Sequence, residues 1–122
     1  MRFEGITWHA LTLSADAFEA TKKIVIETMG VAPMMEMEGV VVFSFENGSL
    51  LELYNPETVP AFGYNGNVAF GFRVDDVEAA SAALEAAGCE LLGEINRVPD
   101  MGYAYRHVKG PDGIVYGLNE QK

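Results

Sequence analysis

Hydrophobic and polar positions along the chain fall into the same order twice. Residues from Ile6 to Ser14 are strand-prone, and Asp16-Ala17-Phe18-Glu19 then places a Glu three positions after an Asp, the capping-box spacing that opens a helix. That helix is expected to run to about Met29, where Gly30 supplies a left-handed stop and Pro33 prevents resumption. Phe18, Val25 and Met29 fall on one helical face with Ile24 beside them, while Lys22 and Lys23 fall toward water, so one side packs on a sheet. Three short strands are expected next, Met34 to Glu38, Val40 to Glu46 and Leu50 to Tyr54, with Asn47-Gly48 as the hairpin turn between the last two.

Between Asn55 and Asn67 stand Pro56, Pro60, Gly63 and Gly66, a density of chain breakers that reads as a connector. The order then returns. Val68 to Val74 alternates as a strand, Asp75-Asp76-Val77-Glu78 repeats the capping box, and an alanine-rich helix runs to Gly88. Glu90 to Arg97, Met101 to Val108 and Ile114 to Asn119 are the remaining strands, with Pro111-Asp112-Gly113 as the last turn. The repeat is visible in letters too: Asn47-Gly48-Ser49-Leu50-Leu51-Glu52-Leu53 aligns without a gap on Asp112-Gly113-Ile114-Val115-Tyr116-Gly117-Leu118. The fold expected is α+β, two βαβββ modules over about 5–55 and 68–120 of a single domain spanning 1–122, with a connector at about 55–67. One amphipathic helix on a small sheet leaves a face uncovered, so the modules must pair within a chain or between chains; the expected result is a curved, mixed β-sheet cleft with the helices outside.

Composition narrows the partners. With 122 residues, 49% hydrophobic and 21% charged, the chain has the profile of one globular domain. Eight Lys plus Arg against eighteen Asp plus Glu give a formal net charge of −10, which repels phosphate backbones and anionic lipid and favours approach of cations. Neither nucleic acid nor a membrane surface is therefore expected as partner. The single cysteine, Cys89, excludes an intrachain disulfide or zinc ribbon and sits where a helix-to-strand corner would pack. Met1-Arg2-Phe3-Glu4-Gly5 lacks an apolar signal core and no run approaches the roughly 18 residues of a membrane span, so a cytoplasmic location is expected.

Two such modules in about 120 residues resemble the vicinal oxygen chelate superfamily, which includes glyoxalase I, bleomycin- and fosfomycin-resistance proteins and extradiol dioxygenases. The similarity covers essentially the whole chain. It is carried by Phe72-Arg73-Val74-Asp75-Asp76-Val77 entering the second helix, Leu84-Glu85-Ala86-Ala87-Gly88 leaving it, and the run Gly102 to Gly113, GYAYRHVKGPDG, before the last strand. The resemblance implies metal ligands on the first and last strands of each module. Carried across, those positions are His9 or its neighbour Trp8, then Glu52, Ala69 and Gly117. Ala69 and Gly117 have no donor side chain, so the second module contributes nothing to such a site. Counting back from Asp16 puts His9 on the cleft face, whereas placing Leu11 and Leu13 against the helix puts Trp8 there, and a slip of one residue exchanges every side chain between faces. His9 with Glu52, or these two with His107 as two imidazoles and a carboxylate, are the metal alternatives that remain; no cofactor is expected otherwise.

Strand alternation then nominates a binding face. Glu52 aligns with Gly117, so Leu50, Glu52 and Tyr54 are expected toward the cleft and Leu51 and Leu53 toward the helix. Ala69, Gly71 and Arg73 share the cleft side in the second module, and Tyr103, Tyr105 and His107 line one face of their strand. Met34, Met35 and Met37 are either adaptable cleft lining or edge-strand filler. Glu52, Tyr54, Arg73, Tyr103, Tyr105 and His107 suit a flat, partly polar or cationic ligand, with Glu52 as polar anchor. The expected function is small-molecule binding of the bleomycin-resistance type, an antibiotic or another aromatic or cationic compound, by a homodimer without turnover. A metal-dependent lyase, isomerase or dioxygenase is one alternative, and metal-free catalysis with His107 as acid or base is another.

Overall fold

The computed structural model describes residues 1–59 and 66–122, so Pro60 and Gly63 of the expected connector lie outside the described residues. In chain order the elements are β1 (Phe3–Thr12), α1 (Ala15–Lys23) continued by a π turn (Ile24–Thr28), β2 (Pro33–Met37), β3 (Val40–Ser44), β4 (Leu50–Tyr54), β5 (Val68–Val74), α2 (Val77–Ala86), β6 (Glu90–Val98), a short 3₁₀ turn (Pro99–Met101), β7 (Tyr103–Lys109) and β8 (Val115–Gln121). The βαβββ order thus occurs twice, in an α+β fold whose strand pairs are mixed: β5 and β8 run parallel, and β2–β3, β3–β4, β6–β7 and β7–β8 antiparallel. The chain divides into two compact units, His9–Val68 and Met1–Trp8 with Ala69–Lys122, so β1 contributes to both.

In the unit His9–Val68 the strand order is β2-β3-β4-β1. Helix α1 is capped by Ser14, whose extended backbone leaves its Oγ to accept from the Ala17 N–H at 3.4 Å, rather than by Asp16. Asp16 already lies in the first turn, where its charge meets the positive helix end but its side chain cannot cap. Phe18 and Val25 pack on Val41, Phe43 and Leu53, with Leu11, Leu13, Ile26 and Leu51 around them. Met29 and Ile24, expected on this face, are instead 57% and 49% exposed. For Met29 the cause is the π turn, in which its N–H donates to the Ile24 carbonyl: about one extra residue in the turn rotates the residues after it by roughly 100°, and Ile26 packs inward, whereas Ile24 precedes that rotation and lies about 120° from Phe18 even in a regular helix. Lys22, expected toward water, pairs with Glu36 of β2. Gly39 at φ +77° turns β2 into β3, and the β3–β4 turn is held by Asn47 Oδ1, which accepts from the Ser49 N–H at 3.0 Å. Met34, Met35 and Met37 are exposed on β2, which ends the strand order, and so fill no core.

In the other unit the order is β1-β5-β8-β7-β6. Val77 and Ala80 of α2 pack on Val74, Ala104, Val108 and Leu118, with Phe72, Leu84, Cys89, Leu91, Ile95 and Tyr116 at the margin. The α2 cap is Asp76, accepting from the Ala79 N–H at 3.1 Å, one residue later than the capping box read from Asp75. Asp75 is taken instead by the head of β1: its carboxylate accepts from the Arg2 N–H at 2.6 Å and its own N–H donates to the Arg2 carbonyl at 3.2 Å. A second carboxylate serves the same helix end from a distance in sequence. Glu120 of β8, 7% exposed, accepts from the Val77 N–H at 2.9 Å and lies 3.7 Å from Lys122 Nζ. This bond satisfies an amide that no helical carbonyl can reach. Glu120→Ala is therefore expected to lower the unfolding free energy by about 2 kcal/mol; urea titration followed by circular dichroism measures it, and no shift of the midpoint would contradict the long-range cap.

Candidate functional site

The face of the second unit opposite α2 is set by strand alternation. On β8, Tyr116 and Leu118 pack toward α2 and Glu120 caps it, which turns Gly117, Asn119 and Gln121 the other way. On β7, Ala104 and Val108 belong to the core, so Tyr103, Tyr105 and His107 share the opposite face; on β5, Phe72 and Val74 do the same for Ala69, Gly71 and Arg73. Cross-strand pairing arranges these residues in rows. Leu92, His107, Gly117 and Gly71 stand opposite one another across β6, β7, β8 and β5, and Asn96, Tyr105, Asn119 and Arg73 form the next row. Between Leu92 and Asn96 β6 bulges, with Gly93 at φ +68° and its carbonyl accepting from Arg106 Nη2 at 2.7 Å. The bulge adds two residues against β7, an even shift, so Leu92 and Asn96 share one face while Leu91 and Ile95 stay in the core.

Trp8 covers the first row. A Cβ at position 117 would lie 2.9 Å from Trp8 Cε3, so the glycine there lets the indole rest on the sheet backbone, while a Cβ at position 71 would lie 2.7 Å from the Gly117 carbonyl oxygen, so β5 and β8 approach closely at this pair. Trp8 is 5% exposed and meets His107 edge to face, with centroids 5.3 Å apart and planes at 68°. From His107 the aromatic series continues to Tyr105 (6.1 Å, 79°) and Tyr103 (5.7 Å from Tyr105, 36°). Burial among these groups lowers the His107 pKa to about 4, because removal from water penalises the imidazolium. His107 is thus a neutral ring near neutrality. In the second row Arg73 Nε lies 3.9 Å from Glu4 Oε1, and the Asn119 side-chain oxygen is buried without a hydrogen-bond partner among the described residues.

In the unit His9–Val68, Leu51 and Leu53 pack with α1, so Glu52 and Tyr54 take the opposite face, where the Tyr54 hydroxyl donates to Glu52 Oε1 at 2.6 Å. Leu11 and Leu13 also pack with α1, which decides the register of β1: Trp8 has the parity opposite to theirs, and His9 has the same parity. His9 and Glu52 consequently belong to opposite faces of their unit, which removes the geometry that a shared metal site needs. His9 Nδ1 instead lies 3.2 Å from the Leu50 carbonyl oxygen. Among the described residues no group of three or more His, Cys, Asp or Glu side chains is arranged to hold a metal ion.

The metal that the fold implies can be tested against these side chains. Trp8, Ala69 and Gly117 occupy three of the four ligand positions, and the space a donor at 117 would need is filled by the indole. The residues present do not fit a divalent cation there. Tyr103, Tyr105, His107 and Arg73, nominated from sequence, are brought onto one face; Glu52 and Tyr54 are paired in the other unit. Sequence reasoning missed Asn119, although its register with Tyr105 comes from the same alternation that placed Tyr105.

The βαβββ order, occurring twice in one chain, defines the class of fold. The family model of the Glyoxalase/Bleomycin resistance protein/Dioxygenase superfamily matches residues 8–117, and the chain belongs to that superfamily. Among solved structures, a glyoxalase/bleomycin resistance protein/dioxygenase superfamily member from Vibrio splendidus 12B01 is 15% identical at TM-score 0.64, covering 96% of this chain and 100% of that one. Methylmalonyl-CoA epimerase from Mycobacterium tuberculosis is 14% identical at TM-score 0.70 over 98% of this chain and 89% of its own. The Mn(II)-bound glyoxalase from Novosphingobium aromaticivorans is 19% identical at TM-score 0.69 over 98% of this chain and 39% of its own. At these identities the likeness is one of fold. No curated protein matches the chain.

Two measurements check this geometry. Gly117→Ala forces a methyl into the indole and should cost about 1–3 kcal/mol, with a red shift of the emission of Trp8, the only tryptophan; unchanged stability and emission would mean that the ring does not rest on position 117. His107 has a folded-state pKa near 4 against an ordinary 6.5, so as pH falls the unfolded chain takes up its proton first. The stability it supports is complete above pH 6.5 and is lost between about 6.5 and 4, by on the order of 3 kcal/mol. Urea titrations of wild type and His107→Phe across that window should show a steeper decline for wild type.

Proposed function

We propose that the chain is a small-molecule binding protein of its superfamily that works without a complete metal site, taking a planar neutral or cationic ligand on the face of Tyr103, Tyr105 and His107. The supporting observation is the aromatic series itself, three rings of β7 continuing along one sheet face from Trp8, which stands where the resemblance places a metal ligand. The net charge of −10 adds a field that favours cations and disfavours anions. A metal-dependent lyase, isomerase or dioxygenase has the superfamily on its side, and the side chains at 8, 69 and 117 against it. Aromatic stacking is worth on the order of 1 kcal/mol per ring, so Tyr105→Ala should weaken binding of planar compounds several-fold and leave the circular dichroism unchanged. A panel of aromatic cations and neutral heterocycles read by Trp8 fluorescence tests the binding, and metal analysis after dialysis against Zn, Mn and Ni tests the site. Absence of any planar binder, or one tightly held metal per chain, would overturn the reading.

A further inference from the structure

The second cross-strand row carries two polar groups of opposite hydrogen-bonding sense. Asn119 is 6% exposed, and its side-chain oxygen is buried with no hydrogen-bond partner among the described residues. A buried acceptor left unmade is costly, and a ligand N–H would remove that cost. Arg73 stands directly opposite Asn119 on the parallel strand β5, on the same face, and a guanidinium can only donate. Its charge is partly offset by Glu4 at 3.9 Å, and the chain as a whole is acidic, so the acceptor it suits is a neutral carbonyl rather than a carboxylate. Directly opposite Asn119 on the other side, on β7, is Tyr105, half-buried.

Resting on the binding face of Tyr103, Tyr105 and His107, we infer that Asn119 and Arg73 form a recognition site for the edge of a planar lactam, a cyclic secondary amide. Its N–H donates to the Asn119 oxygen, its neighbouring carbonyl accepts from Arg73, and its ring lies against Tyr105. One rigid edge supplies both a donor and an acceptor in adjacent positions, which matches two cross-strand neighbours of opposite sense. The Asn119 oxygen is closed off from bulk water, so Tyr105 changes rotamer when the ligand enters and then covers it. The lactam thereby satisfies an acceptor that the fold leaves unmade among the described residues.

Calorimetry and Trp8 fluorescence with 2-quinolone, 1-methyl-2-quinolone and N-methylquinolinium separate this inference from the broader reading. Wild-type protein is expected to bind 2-quinolone about tenfold more tightly than its N-methyl analogue, which has the ring and carbonyl but no N–H. Asn119→Leu should abolish that preference, and Arg73→Met should weaken 2-quinolone several-fold, with circular dichroism confirming the fold of each variant. Should Asn119→Leu fail to fold, the comparison of the two quinolones on wild type still decides. Equal binding of both by wild type, or binding of N-methylquinolinium but neither quinolone, overturns the lactam site and leaves the aromatic face standing. Binding of none of the three overturns both.

Discussion

Trp8 can rest on its sheet only because position 117 carries no Cβ, and much of the second unit depends on that contact. Gly71 is the cross-strand partner of Gly117, and a Cβ at position 71 would strike the Gly117 backbone that the indole rests on. The ring in turn covers His107 and helps keep its imidazole out of water, which is why the group stays neutral well below its ordinary range. A donor side chain at 117 and an indole at 8 exclude each other sterically. The same two residues that take the place of metal ligands thus extend an aromatic face, a single choice of packing with two chemical consequences.

The alternation that builds this face is anchored from the other side of the sheet. Leu118 and Glu120 on β8 are committed to α2, one to its apolar side and one to its N-terminal amide, so Gly117 and Asn119 have no choice of face. Ala104 and Val108 do the same for β7. On β6 the bulge at Gly93 takes up two extra residues against β7, so that Asn96 stands opposite Tyr105, and Arg106 fastens it. A polar row consequently stands beside an aromatic one on strands whose opposite sides are fixed by close packing.

Much of this is legible in the letters. Turn residues, helix stops and the period-two strands place the elements within a few residues, because each is a local preference of the backbone. The caps lie one or two positions from where the spacing puts them. Ser14 and Asp76 cap because their backbones are extended, and Asp75 is claimed by Arg2, 73 residues away, a partner no local pattern reveals. A regular helical period puts Met29 on the buried face of α1, and the π turn breaks that period and leaves Met29 outside, while Ile26 packs inward. Asn119 escapes notice because a lone asparagine in a strand carries no motif; its significance is the orphaned oxygen, a property of its neighbours.

The sequence by itself determined the two βαβββ modules, the lack of donors at 69 and 117, and the parity that sets Tyr103, Tyr105 and His107 on one face, since all of these depend on residue type and spacing. It left open whether Trp8 or His9 took the ligand position, because a strand's two faces differ only in what they meet. Tertiary structure decided it. Leu11 and Leu13 bury against α1, and this fixes the parity of β1, putting Trp8 opposite them and His9 with them. The indole's fit over Gly117, the burial of His107 and the unmatched oxygen of Asn119 are likewise outcomes of packing between strands distant in sequence, where contact rather than composition sets the chemistry.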